Sequence, residues 1–133
     1  MKQLLFVYGT LAEHPPREIA DAVHRLELIG DGFIFGRLYD LGEYPGAVLG
    51  SWCDKIFGKL LRLPEDDAET LLCRLDAYEG YDPKDPAGSL FMRRRTTINR
   101  SNHSPVIGWV YEYRGSVKSR PLIKSGHYSR VPA

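Results

Sequence analysis

The chain has 133 residues, 43% hydrophobic and 26% charged, with a formal net charge of +1. That balance fits one globular domain over residues 1–133, and it gives no bulk electrostatic reason to bind nucleic acid or an anionic membrane. Cys53 and Cys73 fall short of a disulfide framework, and no apolar run, Met1 to Val7 included, has the length of a signal-peptide core or a membrane span, so a cytoplasmic protein with reduced, packed thiols is expected.

Leu4-Leu5-Phe6-Val7-Tyr8 is an unbroken apolar run closed by Gly9-Thr10, the pattern of a strand buried on both faces. Pro15-Pro16 then punctuates the chain, and the spacing of Ile19, Ala20 and Val23 predicts a short helix. From Leu26 to Tyr39 a loose alternation with glycines at 30, 32 and 36 predicts a long, bent strand. A turn at Gly42-Glu43-Tyr44-Pro45-Gly46 leads into a short strand, Ala47 to Leu49, and Ile56 to Leu63 is another. Pro64-Glu65-Asp66-Asp67 opens a helix that runs to about Tyr78, with Gly80 as its stop. Tyr81 to Gly88 reads as a loop. Two strands, Leu90 to Ile98 and Val106 to Tyr113, flank a polar turn at Arg100-Ser101-Asn102-His103, and a helical turn is expected near Pro121 to Ser125. The pattern is α+β: a curved sheet or small mixed β-barrel flanked by two main helices.

Ala68, Leu72, Leu75 and Glu79 follow one another at intervals of four, three and four, with Leu71 and Tyr78 widening the stripe. One helix face therefore enters the core and ends in an acid, with Asp76 expected off to the side. If helical geometry persists to Glu79, burial and the negative end of the helix dipole both raise its pKa toward neutrality, where a carboxyl can accept and return a proton. If the last turn frays, Glu79 is a solvated acid. Tyr8-Gly9-Thr10-Leu11 either turns successive backbone N–H groups toward an anion or is a plain turn. It is not a dinucleotide or Walker loop, because the glycine and lysine spacings of both are absent.

Arg93-Arg94-Arg95 does not make a basic surface, since strand alternation sends Arg94 to the face opposite Arg93 and Arg95. His14, His24, His103 and His127 have no ligand spacing, so no metal is expected. Cys73 reads as packing.

Several blocks together resemble the gamma-glutamylcyclotransferase-like family. They are Phe6-Val7-Tyr8-Gly9-Thr10-Leu11, the glycine-rich stretch Gly36 to Gly46, Ile56 to Leu63, Leu75-Asp76-Ala77-Tyr78-Glu79-Gly80-Tyr81, and Val110-Tyr111-Glu112-Tyr113. Two departures bear on the substrate. Phe91-Met92-Arg93 stands where many relatives carry Tyr-x-Arg, and Lys59 stands where an acid is common.

The resemblance implies a small mixed barrel with Glu79 as catalytic acid/base and Tyr8, Gly9, Thr10 and Leu11 lining the substrate cavity. Tyr8 and Tyr113 would shape the cavity or donate hydrogen bonds, or act simply as core aromatics. The implied reaction is release of 5-oxoproline and a free amine from a small gamma-glutamyl substrate, with no metal and no cofactor. The leaving amine could be an amino acid, the ε-amine of lysine, a polyamine or a biosynthetic intermediate, and the loop from Tyr81 to Leu90 is expected at the cavity rim. The alternative is a non-catalytic small-molecule binding or regulatory protein on the same fold. Nothing in the sequence fixes an oligomeric state.

Overall fold

The structure, a computed structural model, describes residues 3–9, 11 and 14–128. In chain order the elements are β1 (Gln3–Val7), α1 (Ala20–Val23), β2 (Glu27–Asp40), β3 (Pro45–Leu49), β4 (Lys55–Leu63), α2 (Ala68–Glu79), a 3-10 turn (Pro86–Gly88), β5 (Phe91–Arg100) and β6 (His103–Tyr113).

β1 pairs antiparallel with β4 along its whole length and parallel with β6 at Leu5–Trp109. β2 is long enough to serve two partners: its first part runs against β4 and its last residues, Gly36 to Asp40, against β3. The expected bend falls at a register shift between Leu28 and Gly30. β3 meets β6 in parallel at Ala47–Glu112. The ring β1–β4–β2–β3–β6 therefore closes on itself, removing the sheet edges. β5 stands outside that ring, antiparallel to β6 and touching β2 at Phe33–Asn99. This is the α+β barrel architecture that the chain pattern predicts.

Strand alternation sorts the apolar side chains into two cores. Phe6, Ile34, Leu38, Ile56, Leu60, Ile98 and Val110 fill the barrel. Leu5, Val7, Leu61, Leu63, Phe91 and Tyr111 point the other way, onto α1 and α2, where they meet Val23, Leu71, Leu72 and Leu75. β1 is thus buried on both faces, as its unbroken apolar run requires.

Four expectations need correction. Cys53 and Cys73 are both exposed rather than packed. Asp76 is buried rather than off to the side, because its carboxylate finds partners on the sheet. α2 begins only at Ala68, since Pro64 to Asp67 closes a separate turn in which the Asp67 N–H reaches the Pro64 carbonyl. The segment from Pro121 starts extended, bridging Tyr39 at Leu122 and donating from Ile123 N–H to the Leu38 carbonyl at 2.7 Å; it turns only at Lys124-Ser125. Backbone groups at the end of β2 would otherwise lack partners, which favours strand pairing there over a local helical turn.

Candidate active site

The C-terminal end of α2 is closed by a Schellman motif. The Tyr81 N–H donates to the Asp76 carbonyl at 2.8 Å and the Gly80 N–H to the Ala77 carbonyl at 3.3 Å. Gly80 takes φ 73°, a left-handed conformation that costs glycine little. Tyr81 packs against the helix-side core, which is the apolar contact this motif usually carries. The helix therefore does not fray before Glu79. Tyr78, expected on the buried stripe, is instead 41% exposed.

Glu79 is half-buried and opens onto a cavity of about 640 Å³. That volume suits a small organic ligand. Burial raises the Glu79 pKa from 4.5 to about 7, because a low-dielectric wall disfavours the charged carboxylate.

Another part of the wall is the exit of β1: Val7, Tyr8, Gly9 and Leu11 line the same cavity. Thr10 lies outside the described residues. The Tyr8 hydroxyl donates to the Tyr111 carbonyl at 2.6 Å and accepts from the Ala47 N–H at 3.2 Å. It bridges β6 to β3 beside their single paired position, so its hydrogen is committed to the fold. Burial, helped by the negative charges of Glu79 and Glu112, pushes the Tyr8 pKa far up and keeps the phenol neutral.

Tyr113 does not reach the cavity wall. It packs edge-on against Phe91, with ring centroids 5.4 Å apart, and it is Phe91 that faces the cavity. Of the loop expected at the rim, Leu90 lines the cavity, while Asp82, Pro83 and Asp85 line a separate depression beside Cys73. Tyr44 and Leu90, exposed at 41% and 44%, complete an apolar mouth with Tyr78.

Other wall residues are not singled out individually by the sequence patterns, although Glu43 and Tyr111 lie inside the family-like blocks. Glu43 and His14 add polar groups from loops, and Tyr128 arrives from the C-terminal segment. Tyr111 comes from β6, and its hydroxyl donates to Asp76 Oδ1 at 2.7 Å. Only the alternation on β5 and β6 hints at this last cluster. The register aligns Phe91 with Tyr113, Arg93 with Tyr111 and Arg95 with Trp109, all facing the helices. Arg94 faces away and pairs with Glu112 at 3.0 Å, as alternation predicts.

Among the described residues, none of the cavity-lining side chains is a Lys or Arg, and no group of His, Cys, Asp and Glu has the arrangement of a metal site. The site's chemistry is that of the Glu79 carboxyl with its near-neutral pKa, the Glu43 carboxyl and His14 imidazole, tyrosine hydroxyls and the backbone at the end of β1.

Comparisons with known proteins agree with this architecture. The family described as Gamma-glutamyl cyclotransferase, AIG2-like matches residues 5–130. Protein ytfP from Escherichia coli is 27% identical with a TM-score of 0.63, covering 96% of each chain. An AIG2-like protein from Mus musculus is 20% identical with a TM-score of 0.68, over 96% of this chain and 88% of that one. YkqA from Bacillus subtilis is 21% identical with a TM-score of 0.68 over 96% of this chain, which spans only 40% of YkqA. No curated protein sequence matches the chain significantly.

Proposed function

The chain belongs to the gamma-glutamyl cyclotransferase, AIG2-like family, and from that membership and the cavity we propose that it releases 5-oxoproline and a free amine from a small gamma-glutamyl amine or peptide, with Glu79 moving the protons. The observation that carries this reading is a carboxyl with pKa about 7 in the same cavity as the Tyr8-Gly9 exit of β1.

The substrate carries its own nucleophile. Its α-amine attacks the γ-carbonyl carbon, the ring closes, and the bond from that carbon to the leaving nitrogen breaks. The α-ammonium begins with three hydrogens and the lactam nitrogen keeps one, while the amide nitrogen begins with one and departs as an ammonium with three. Two protons must pass between the nitrogens. A single carboxyl between them can carry both in succession, taking each as a carboxylate and returning it as an acid. Holding amine and carbonyl together supplies much of the remaining acceleration.

With no lysine or arginine among the described wall residues, the substrate's α-carboxylate or its developing oxyanion needs other donors. The backbone N–H groups around Gly9, Thr10 and Leu11 are assigned that role. Tyr8 shapes this wall, and Tyr113 acts one layer back by supporting Phe91. The proposal treats residues 1–133 as one working domain with no nucleic-acid partner: Arg93 and Arg94 are committed to Asp76 and Glu112. Two exposed, unpaired thiols suit a reducing cytoplasm. No helix among the described residues is long and apolar enough to cross a membrane.

The test is incubation with gamma-glutamyl amines whose leaving groups span amino acids, the lysine ε-amine and polyamines, followed by mass-spectrometric detection of 5-oxoproline. Release from at least one of them is expected. Silence across the panel contradicts the reading.

A further inference from the structure

Asp76 is the buried charged residue of the described core, 4% exposed. A carboxylate taken out of water is costly unless it is fully bonded, and this one accepts three hydrogen bonds from the sheet. Arg93 Nε and the Tyr111 hydroxyl both reach Oδ1, at 2.8 Å and 2.7 Å, and Arg93 Nη2 reaches Oδ2 at 3.2 Å. Arg93 and Tyr111 are register partners on β5 and β6, so the contact staples one helical residue to two strands at once. The guanidinium is itself seated over the Trp109 ring, 4.3 Å from its centroid. Asp76 acts through its backbone too, since its carbonyl accepts the Tyr81 N–H that closes the Schellman turn.

Resting on the reading above, we propose that Asp76 is the positioning residue for Glu79: by tying the last turn of α2 to Arg93 and Tyr111, it fixes where the proton-carrying carboxyl stands in the cavity. Asp76 and Glu79 are separated by three residues, less than one helical turn, and therefore lie on neighbouring lines of the same helix face. A swing of the last turn displaces both together. Apolar packing alone allows sliding, whereas a two-pronged guanidinium and a phenol fix direction. Replacing a whole buried ion pair by packed apolar residues is often neutral or stabilising, whereas removing Asp76 alone would strand Arg93. The charged staple is therefore explained by geometry rather than by stability.

The same anchoring bears on how dry Glu79 is kept. Tyr8 at the exit of β1, Tyr111 of β6 and Tyr78 of α2 interact with the Glu79 charge, and Glu43 and His14 of the loops line the same cavity; Asp76 and Arg93 are the charged groups that hold its helix turn. Burial is what raises Glu79, so loosening the last turn of α2 and admitting water lowers it.

The experiment compares wild type with Asp76→Asn and Tyr111→Phe by steady-state kinetics and by carbon-13 NMR titration of the Glu79 carboxyl. In Asp76→Asn, kcat is expected to fall about 100-fold with KM little changed, the cost of a misplaced group. The Glu79 titration should move down by about one pH unit or more, as the last turn loosens and water enters. Tyr111→Phe keeps the ion pair and removes one bond. It should lose about tenfold in kcat and shift Glu79 in the same direction by less, and it decides the matter if Asp76→Asn does not fold. Wild-type kcat and an unmoved Glu79 titration in a folded variant, or a loss confined to KM, overturn the proposal. If wild type releases no 5-oxoproline at all, the cyclotransferase reading fails, and the titrations alone still decide whether Asp76 holds Glu79.

Discussion

At the scale of single residues, the account turns on a proton held more tightly in the fold than in the open chain. The raised pKa of Glu79 bears on stability, with the opposite sign to a salt-bridged carboxylate. Because the folded pKa lies above the unfolded one, the group's contribution falls as pH rises from about 4.5 to about 7 and then stays low. At about 1.4 kcal/mol per pKa unit, carrying the ionised form costs the fold up to about 3 kcal/mol. Glu79→Gln should therefore melt higher than wild type at pH 8, with the gap closing by pH 5 in thermal unfolding scans. Glu79 was legible in the sequence because a leucine stripe at helical spacing leads straight to it. Asp76 was not, because its partners Arg93 and Tyr111 lie 17 and 35 residues away on strands whose register no local pattern encodes.

At the scale of elements, the end of α2 converts a helix into a site. Gly80 sits at φ 73°, where a β-carbon costs about 1–2 kcal/mol. Gly80→Ala is expected to lower Tm by several degrees and to cut kcat by more than the loss of folded protein explains, measured on samples corrected for folded fraction. The glycine was readable as a helix stop from its place after the stripe. The strand elements were readable too, since β1, β4 and β6 carry continuous or alternating apolar patterns and β5 follows a turn-rich loop. The C-terminal segment was not. Its polar, proline-punctuated composition hides an extended course along β2 that brings Tyr128 to the cavity, and that course is fixed by unpaired backbone groups on another strand.

At the scale of the whole molecule, the closed barrel holds the β1 exit and α2 against each other. β1 is the shared wall: Phe6 faces the barrel core, while Leu5 and Val7 face the helices. The Tyr8 phenol closes the ring where β3 and β6 meet at one paired position. Tyr8→Phe removes both of its hydrogen bonds and should destabilise the fold by about 1–3 kcal/mol, seen as a lower midpoint in urea unfolding. Barrel closure follows from which strands meet, a long-range fact that the chain order of strands suggests but does not determine. The central claim, that one carboxyl carries the protons of ring closure, is tested most directly by 5-oxoproline release from Glu79→Gln beside wild type on a gamma-glutamyl amine that wild type turns over. A folded variant whose release falls by about 1,000-fold is expected; turnover within tenfold of wild type contradicts the role of Glu79.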